Sequence, residues 1–458
     1  MDNYIPEWSS LRKHPLPKWF DGAKLGVFIH WGLYSVPQWA PQSGKFGEIE
    51  PSIHFQQNPY AEWYQNSLRI KDSPTYEYHK KKYGVDFHYS DFADLWKAEN
   101  WNPKEWANLF KKSGAKYVVL TTMHHDGFNL WPSKYNPNFS VHTKGPKRDI
   151  VGDLTKEVRE KDMKMGHYYS GALNWRFTKQ PIKTFNDLKY IRPQNYAYAD
   201  YAYNQVMELI NLYNPDILWN DIGWPDKGLE DIKHLFSYYY NVNPEGVVND
   251  RWHIEKNNPN WEFEPEPYES WRDFYTEEYN ELEEIASYKW ESTRGMGYSF
   301  SFNQNESEEE VISLTELIHL LVDIVSKNGN LLINIGPKPD GSIPENQKER
   351  LLGLGEWLNI NGEAIYDTVP WKVSSDITDK GVSIKFTQKN NCLYAIILDD
   401  FKETNSYKFS IHSDKEISSI NPLKSEQSIE WNVKGKEVVI NNKSKINTDA
   451  CAFRIEFK

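Results

Sequence analysis

Gly114–Phe128, GAKYVVLTTMHHDGF, decides how the chain is to be read. An apolar run from Tyr117 to Leu120 is too short for a helix and runs straight into His124, His125 and Asp126. A buried strand that ends in polar groups places them at its C-terminal edge. The same design recurs along the chain. KLGVFIHWG (Lys24–Gly32) ends in His30, KMGHYYSG (Lys164–Gly171) in Tyr168 and Tyr169, and DILWND in Asp221. GVVNDRW (Gly246–Trp252) ends in Asp250 and Arg251, and YKWESTRG (Tyr288–Gly295) and NLLINIGPKPDG (Asn330–Gly341) complete the series. Helical patterns lie between them. PKEWANLFKKSG (Pro103–Gly114) opens on proline and closes on glycine, while Tyr203–Asn214 and Leu314–Gly329 carry apolar residues three and four apart. Buried strands alternating with helices predict a parallel sheet covered on both faces. Chemistry at so many strand ends favours a closed (β/α)8 barrel with its site on the C-terminal rim. Seven strands are legible and the eighth is not.

From about Thr368 the pattern changes. Val382, Ile384 and Phe386 alternate, and short strand-like runs follow with turn-rich spacers, predicting a C-terminal antiparallel β-sandwich. The expected division is a catalytic barrel over 1–367 and a sandwich over 368–458. The sandwich carries no chemical motif, so a stabilising lid is the simpler role. NESEEE (Asn305–Glu310) is read as a solvated acidic loop.

Composition narrows the partners. A net charge of −12 argues against nucleic acid and anionic membrane, and no apolar run approaches the roughly 18 residues that span a bilayer. The opening MDNYIPEWSSLRKHPLPKW lacks an apolar leader core, which suggests a cytoplasmic protein, although a trimmed exported chain would look the same. Two cysteines, Cys392 and Cys451, make neither a disulfide framework nor a zinc site. The oligomeric state is not legible. The 19 Trp, 29 Tyr and 21 Phe fit either a large core or a site built for the apolar faces of sugar rings.

In DILWNDIGWPD (Asp216–Asp226), Trp219 and Asp221 share a side of the strand, so a carboxylate meets the barrel mouth beside an aromatic ring. His30, His124, His125 and Asp126 form a tempting metal set. Adjacent histidines chelate poorly, however, and neutral imidazoles serve equally as donors and acceptors to hydroxyls. We therefore expect no metal and no cofactor. Asn260–Glu284 is rich in glutamates, any of which can supply a second carboxylate; sequence separation does not give the distance between the two.

Taken together, GVFIHWGLYSVPQWA, YAEWY, GAKYVVLTTMHHDGFNLWPS, YYSGALNWRF, LWNDIGWP, DFYTEEY and YKWESTRGMGYSFSFN resemble the family-29 α-L-fucosidases, in order, from about Leu25 to Gly341. The resemblance implies an irregular (β/α)8-like barrel followed by a β-sandwich, and retaining hydrolysis of terminal α-L-fucose from oligosaccharides or glycoconjugates. It matches Asp221 to the nucleophile, and His30, Glu62, Trp63, His124, His125, Tyr168, Trp219 and Arg251 to substrate contacts. Phe300 matches the aromatic wall at the sugar's methyl side. Glu278 matches the acid/base through DFYTEEY, where Thr276 and Glu278 share a face and Glu277 points away. Arg251–Asp273 looks longer than is usual in the family and holds the rival glutamates Glu264, Glu266 and Glu269. Two other readings stand beside this one: a metal-dependent barrel hydrolase, and a fucose-binding protein without catalysis.

Overall fold

Strands covered on both faces must be apolar almost throughout, and five of the eight described barrel strands are buried at every residue. The computed structural model describes residues 3–45, 47–252, 271–399, 406–423, 429–441 and 448–458. The barrel strands are β1 (Leu25–Ile29), β2 (Tyr117–Met123), β3 (Lys164–Ser170), β4 (Ile217–Asp221), β5 (Val247–Val248), β6 (Tyr275–Glu278), β7 (Trp290–Gly295) and β8 (Gly329–Ile335). They form one parallel sheet in the order β5-β4-β3-β2-β1-β8-β7-β6. Its two end strands meet at Asp273. The Asp273 N–H donates to Val248 O at 2.9 Å, and its carboxylate accepts from the Val248 N–H at 2.7 Å. His14 and Tyr240 hold the other bonds of that carboxylate, so one side chain pins the closure. The architecture is a (β/α)8-like barrel.

The flanking helices begin where the sequence caps them. Asn102 accepts from the N–H groups of Lys104 and Glu105 to start Pro103–Lys112, which buries Trp106, Leu109 and Phe110 against the sheet side. Ser313 and Glu316 cap Leu314–Ser326 reciprocally. One glycine in the barrel wall is required by space. A Cβ on Gly26 would overlap the ring of Tyr117, which reaches across the barrel interior to Glu291.

Among the described residues eight antiparallel strands follow, from β9 (Val369–Ile377) through β10 (Ser383–Lys389), β11 (Cys392–Ile397), β12 (Ser406–Ser410), β13 (Ile417–Pro422), β14 (Glu430–Lys434) and β15 (Glu437–Asn441) to β16 (Cys451–Phe457). They make a five-stranded sheet, β13-β16-β11-β10-β9, and a three-stranded one, β12-β15-β14. Ile384, Phe386, Leu393, Phe453 and Ile455 of one sheet share a core with Tyr407, Phe409, Val438 and Ile440 of the other, as expected of a sandwich. It docks on the last barrel helix, where Trp357 Nε1 donates to Ala450 O and Asn361 accepts from the Ala452 N–H. Both cysteines are free thiols. Among the described residues no helix is long and apolar enough to cross a membrane.

Candidate active site

Alternation along β4 points Trp219 and Asp221 into the barrel, and the strand stops immediately after the carboxylate. Ile222 turns the chain with φ of 56°, a left-handed conformation costly for a β-branched residue. That turn aims the Ile222 N–H at Asp221 Oδ1, 3.0 Å away. Tyr168 O–H donates to Oδ2 at 2.8 Å and Arg251 Nη1 to Oδ1 at 3.1 Å. Burial alone would raise this carboxyl's pKa; Arg251, then His125 and Tyr168, outweigh it and hold it below the ordinary aspartate value. Asp221 is therefore an ionised group with donors on both oxygens. Ile222→Gly should relieve the backbone strain of about 1–2 kcal/mol while loosening the carboxylate. The expected result is a melting temperature close to wild type with kcat lowered about tenfold, since small misplacements of a reacting group are costly. Thermal unfolding and steady-state kinetics check it, and an unchanged kcat contradicts it.

Arg251 Nη1 also donates to Glu278 Oε2 at 3.1 Å. One nitrogen thus bridges the two carboxylates, and their facing oxygens are no farther apart than two 3.1 Å contacts laid end to end. So close an approach is compatible with the roughly 5–5.5 Å carboxyl separation of retaining glycosidases. The bridge is rigid because Arg251 Nε donates to Thr276 Oγ1 at 2.7 Å, and Thr276 donates to Asp250 at 2.8 Å. Glu278 ends β6, the strand the sequence did not reveal, and Tyr60 O–H donates to its Oε1 at 3.1 Å. Tyr279, the next residue, has φ of 51°, so both carboxylates sit one residue before a left-handed turn. The rival carboxylates Glu264, Glu266 and Glu269 lie outside the described residues. Glu277 bonds outward to Asn280.

Beside these carboxylates lies a buried polar pocket. His124 and His125 follow the end of β2 at Met123, and their rings lie 4.0 Å apart, tilted by 39°. His30 Nδ1 is 2.7 Å from Asn334 Oδ1, and Asn334 Nδ2 donates to Phe300 O. The shared amide assigns the imidazole proton to Nδ1 and leaves Nε2 as an acceptor. Burial lowers all three histidines: His30 to about 3, His125 to about 4, and His124 well below its usual value. They are neutral at physiological pH, and His124 Nδ1 is buried without a partner among the described residues. Glu62 accepts from Ser299 Oγ and the Ser301 N–H through one oxygen, and burial raises its pKa to about 7. Trp63 packs edge-on to His125, and Phe300 lies against His30, Tyr60 and Tyr279. Among the described residues no three His, Cys, Asp or Glu side chains converge as a metal site. Asp126 turns aside to accept from Tyr89 O–H and the Phe128 N–H.

Neutral acceptors and donors around an aromatic wall, next to two bridged carboxylates, make a site for a neutral polyol and for glycosidic bond cleavage. The α-L-fucosidase family model matches residues 1–363. The chain belongs to the α-L-fucosidase family. It is 36% identical to human tissue α-L-fucosidase over 402 residues, covering 86% of this chain and 78% of that protein. The crystal structure of the Thermotoga maritima α-fucosidase with fucose superposes with a TM-score of 0.88 at 50% identity, covering 99% of this chain and 100% of that one. A T. maritima α-L-fucosynthase form, in complex with α-L-Fuc-(1-2)-β-L-Fuc-N3, gives 0.90 at the same 50% identity and coverage of 99% and 100%.

Within this α-L-fucosidase family member, the structure brings His30, Glu62, Trp63, His124, His125, Tyr168, Trp219, Asp221, Arg251, Glu278 and Phe300 together on one rim, while Asp126 turns away. Trp219 is only 2% exposed and lies at the floor of the site. Arg251 covers its face, Tyr168 stacks beside it, and its N–H donates to Glu291 at 2.9 Å. Glu306, assigned to a solvated loop, is instead half-buried, where it accepts from the Ser299 N–H; desolvation raises its pKa to about 8. The reason is local: the turn after Ser299 folds the first acidic residue back under Gly297. Sequence reasoning missed Tyr60, Asn334, Thr276 as the brace of Arg251, and Glu291. Tyr60 sits in the quoted YAEWY and Asn334 in NLLINIG, so both motifs had already been isolated.

Proposed function

We propose that this chain is an exo-acting, retaining α-L-fucosidase, with Asp221 as nucleophile and Glu278 as acid/base. The observation that carries the reading is the single Arg251 nitrogen spanning both carboxylates. In the first step an Asp221 oxygen attacks the anomeric carbon as Glu278 gives its proton to the leaving oxygen, producing a glycosyl ester and a free aglycone. In the second, Glu278 takes a proton from water, whose oxygen attacks the same carbon and returns Asp221 to the carboxylate. His30, Glu62, His124 and His125 hold the sugar hydroxyls, with Trp63 and Phe300 enclosing the ring; Tyr168 and Arg251 keep Asp221 charged, and Trp219 supports Arg251 from below. The family membership, together with T. maritima relatives solved with fucose and with a mechanism-based inhibitor, supports a fucosylated oligosaccharide or glycoconjugate as substrate. We also propose that the chain divides at 367/368, since β9 begins at Val369 and the sandwich has a core of its own.

Proton NMR of the first product formed from a nitrophenyl α-L-fucoside should show α-L-fucose before mutarotation. Prolonged chelation and dialysis should leave the rate unchanged. A β-L-fucose first product contradicts retention, and activity lost on chelation and restored by zinc or manganese favours the metal-hydrolase alternative. A panel of fucosylated oligosaccharides assigns linkage preference.

A further inference from the structure

A second cavity of about 470 Å³ opens next to the candidate active site, lined by Arg69, Lys80 and Arg176 and by Tyr76, Tyr89 and Phe139. Its charge sets it apart. Three fixed cations line it and no Asp or Glu does, in a chain whose net charge is −12. None of the three spends its charge on a carboxylate among the described residues. Arg69 donates to the neutral carbonyls of Trp175, at 2.7 Å, and Thr178, at 3.2 Å. Arg176 donates to the Asn136 amide oxygen at 2.7 Å and lies over Phe139, 4.5 Å from the ring centre. Asp126, whose field reaches Arg176, is buried behind Tyr89 and bonded to its hydroxyl. Glu77 is exposed on the same helix as Lys80, Pro74–Tyr83, but does not line the cavity.

The cavity also has flat apolar surface. Tyr76, half-buried, offers ring surface of the kind that packs on sugar C–H groups, and Arg176, seated over the buried Phe139, adds a planar cation to the same wall. Its position matters as much. Arg69 and Lys80 follow β1, Phe139 follows β2 and Arg176 follows β3, all on the rim that carries Asp221 and Glu278. Trp175, whose carbonyl Arg69 holds, packs edge-on against Trp63 and His125. Trp175 thus links Arg69, on the cavity wall, to Trp63 and His125 of the candidate active site.

We propose that this cavity binds an anionic saccharide, a sugar unit bearing a sulfate ester or a carboxylate, on the rim beside the hydrolytic pocket. The Tyr76 ring and the Arg176 guanidinium supply the sugar platform, and three cations bonded to no carboxylate among the described residues supply the charge recognition. The binding does not depend on fucose hydrolysis, so the two are tested apart. Calorimetric titration of the full chain would use three unfucosylated probes: N-acetyllactosamine, its 6-sulfate, and its sialylated form. At low ionic strength a charged probe should bind at least about tenfold tighter than the neutral parent, and added salt should erode the difference. Which charged probe wins identifies the anion. Lys80→Glu, on the exposed face of its helix, and the double variant Lys80→Ala/Arg176→Met should both abolish the preference while leaving nitrophenyl fucoside turnover unchanged. Equal affinity for charged and neutral probes overturns the proposal, as does a preference that survives both variants. Inorganic sulfate binding as tightly as the sulfated sugar, or a single-stranded oligonucleotide binding more tightly than either, also overturns it.

Discussion

Asp221→Gly is expected to lower kcat by about three to five orders of magnitude while the protein still folds. The carboxylate collects bonds from Tyr168, Arg251 and the Ile222 N–H, yet nothing packs on it that the barrel needs to close. Arg251 keeps Glu278, Asp250 and Thr276 around it in the variant, so its charge is not left bare. Removing the nucleophile deletes both chemical steps at once. Azide, small enough to occupy the vacated space, should restore part of the turnover and release a fucosyl azide of inverted, β configuration. Circular dichroism and thermal unfolding confirm the fold, and steady-state kinetics read the loss. Turnover near wild type in a clean preparation would remove Asp221 from the mechanism.

Glu278→Gln carries the second large effect, and its size depends on the substrate. A proton donor matters when the departing oxygen is basic and hardly at all when it leaves readily as a nitrophenolate. On a natural fucosylated oligosaccharide we expect a loss of about two to four orders of magnitude, and a much smaller loss in the first step with a nitrophenyl fucoside. Glutamine is close to isosteric: its one amide oxygen can keep the bond from Arg251 Nη1 while its NH2 donates to the Tyr60 oxygen, so the site should hold its shape. Glu266→Gln, run in parallel, should show no such dependence on the leaving group. If Glu266→Gln shows it and Glu278→Gln does not, the donor belongs to the inserted segment.

The sequence revealed seven strands because each is an apolar run with chemistry at its end. It hid β6 because Tyr275–Glu278 is four residues long, carries two glutamates, and buries only Thr276 fully. A strand at the seam of a barrel needs less apolar surface than one in the middle, so its signal is weak. Asp221 was legible from alternation with Trp219. Arg251 was legible as a strand-end charge, but the bridge it makes to two carboxylates depends on packing that no spacing encodes. Glu291 shows the limit most sharply. A fully buried glutamate in WESTRG has its partners on β2 and β4, and only the closed barrel brings Tyr117 and Trp219 to it. The histidines show a different limit. Neighbours in sequence, they share one pocket only because β2 stops at Met123.

The central claim is a covalent bond between the sugar and Asp221, and trapping tests it most directly. Incubation with 2-deoxy-2-fluoro-α-L-fucosyl fluoride, followed by proteolysis and mass spectrometry, should show one 2-fluorofucosyl unit on the peptide containing Asp221. The adduct should turn over slowly when the free reagent is removed. A label on Glu278 or Glu291, or no label while the reagent is hydrolysed to the inverted sugar, would contradict the account.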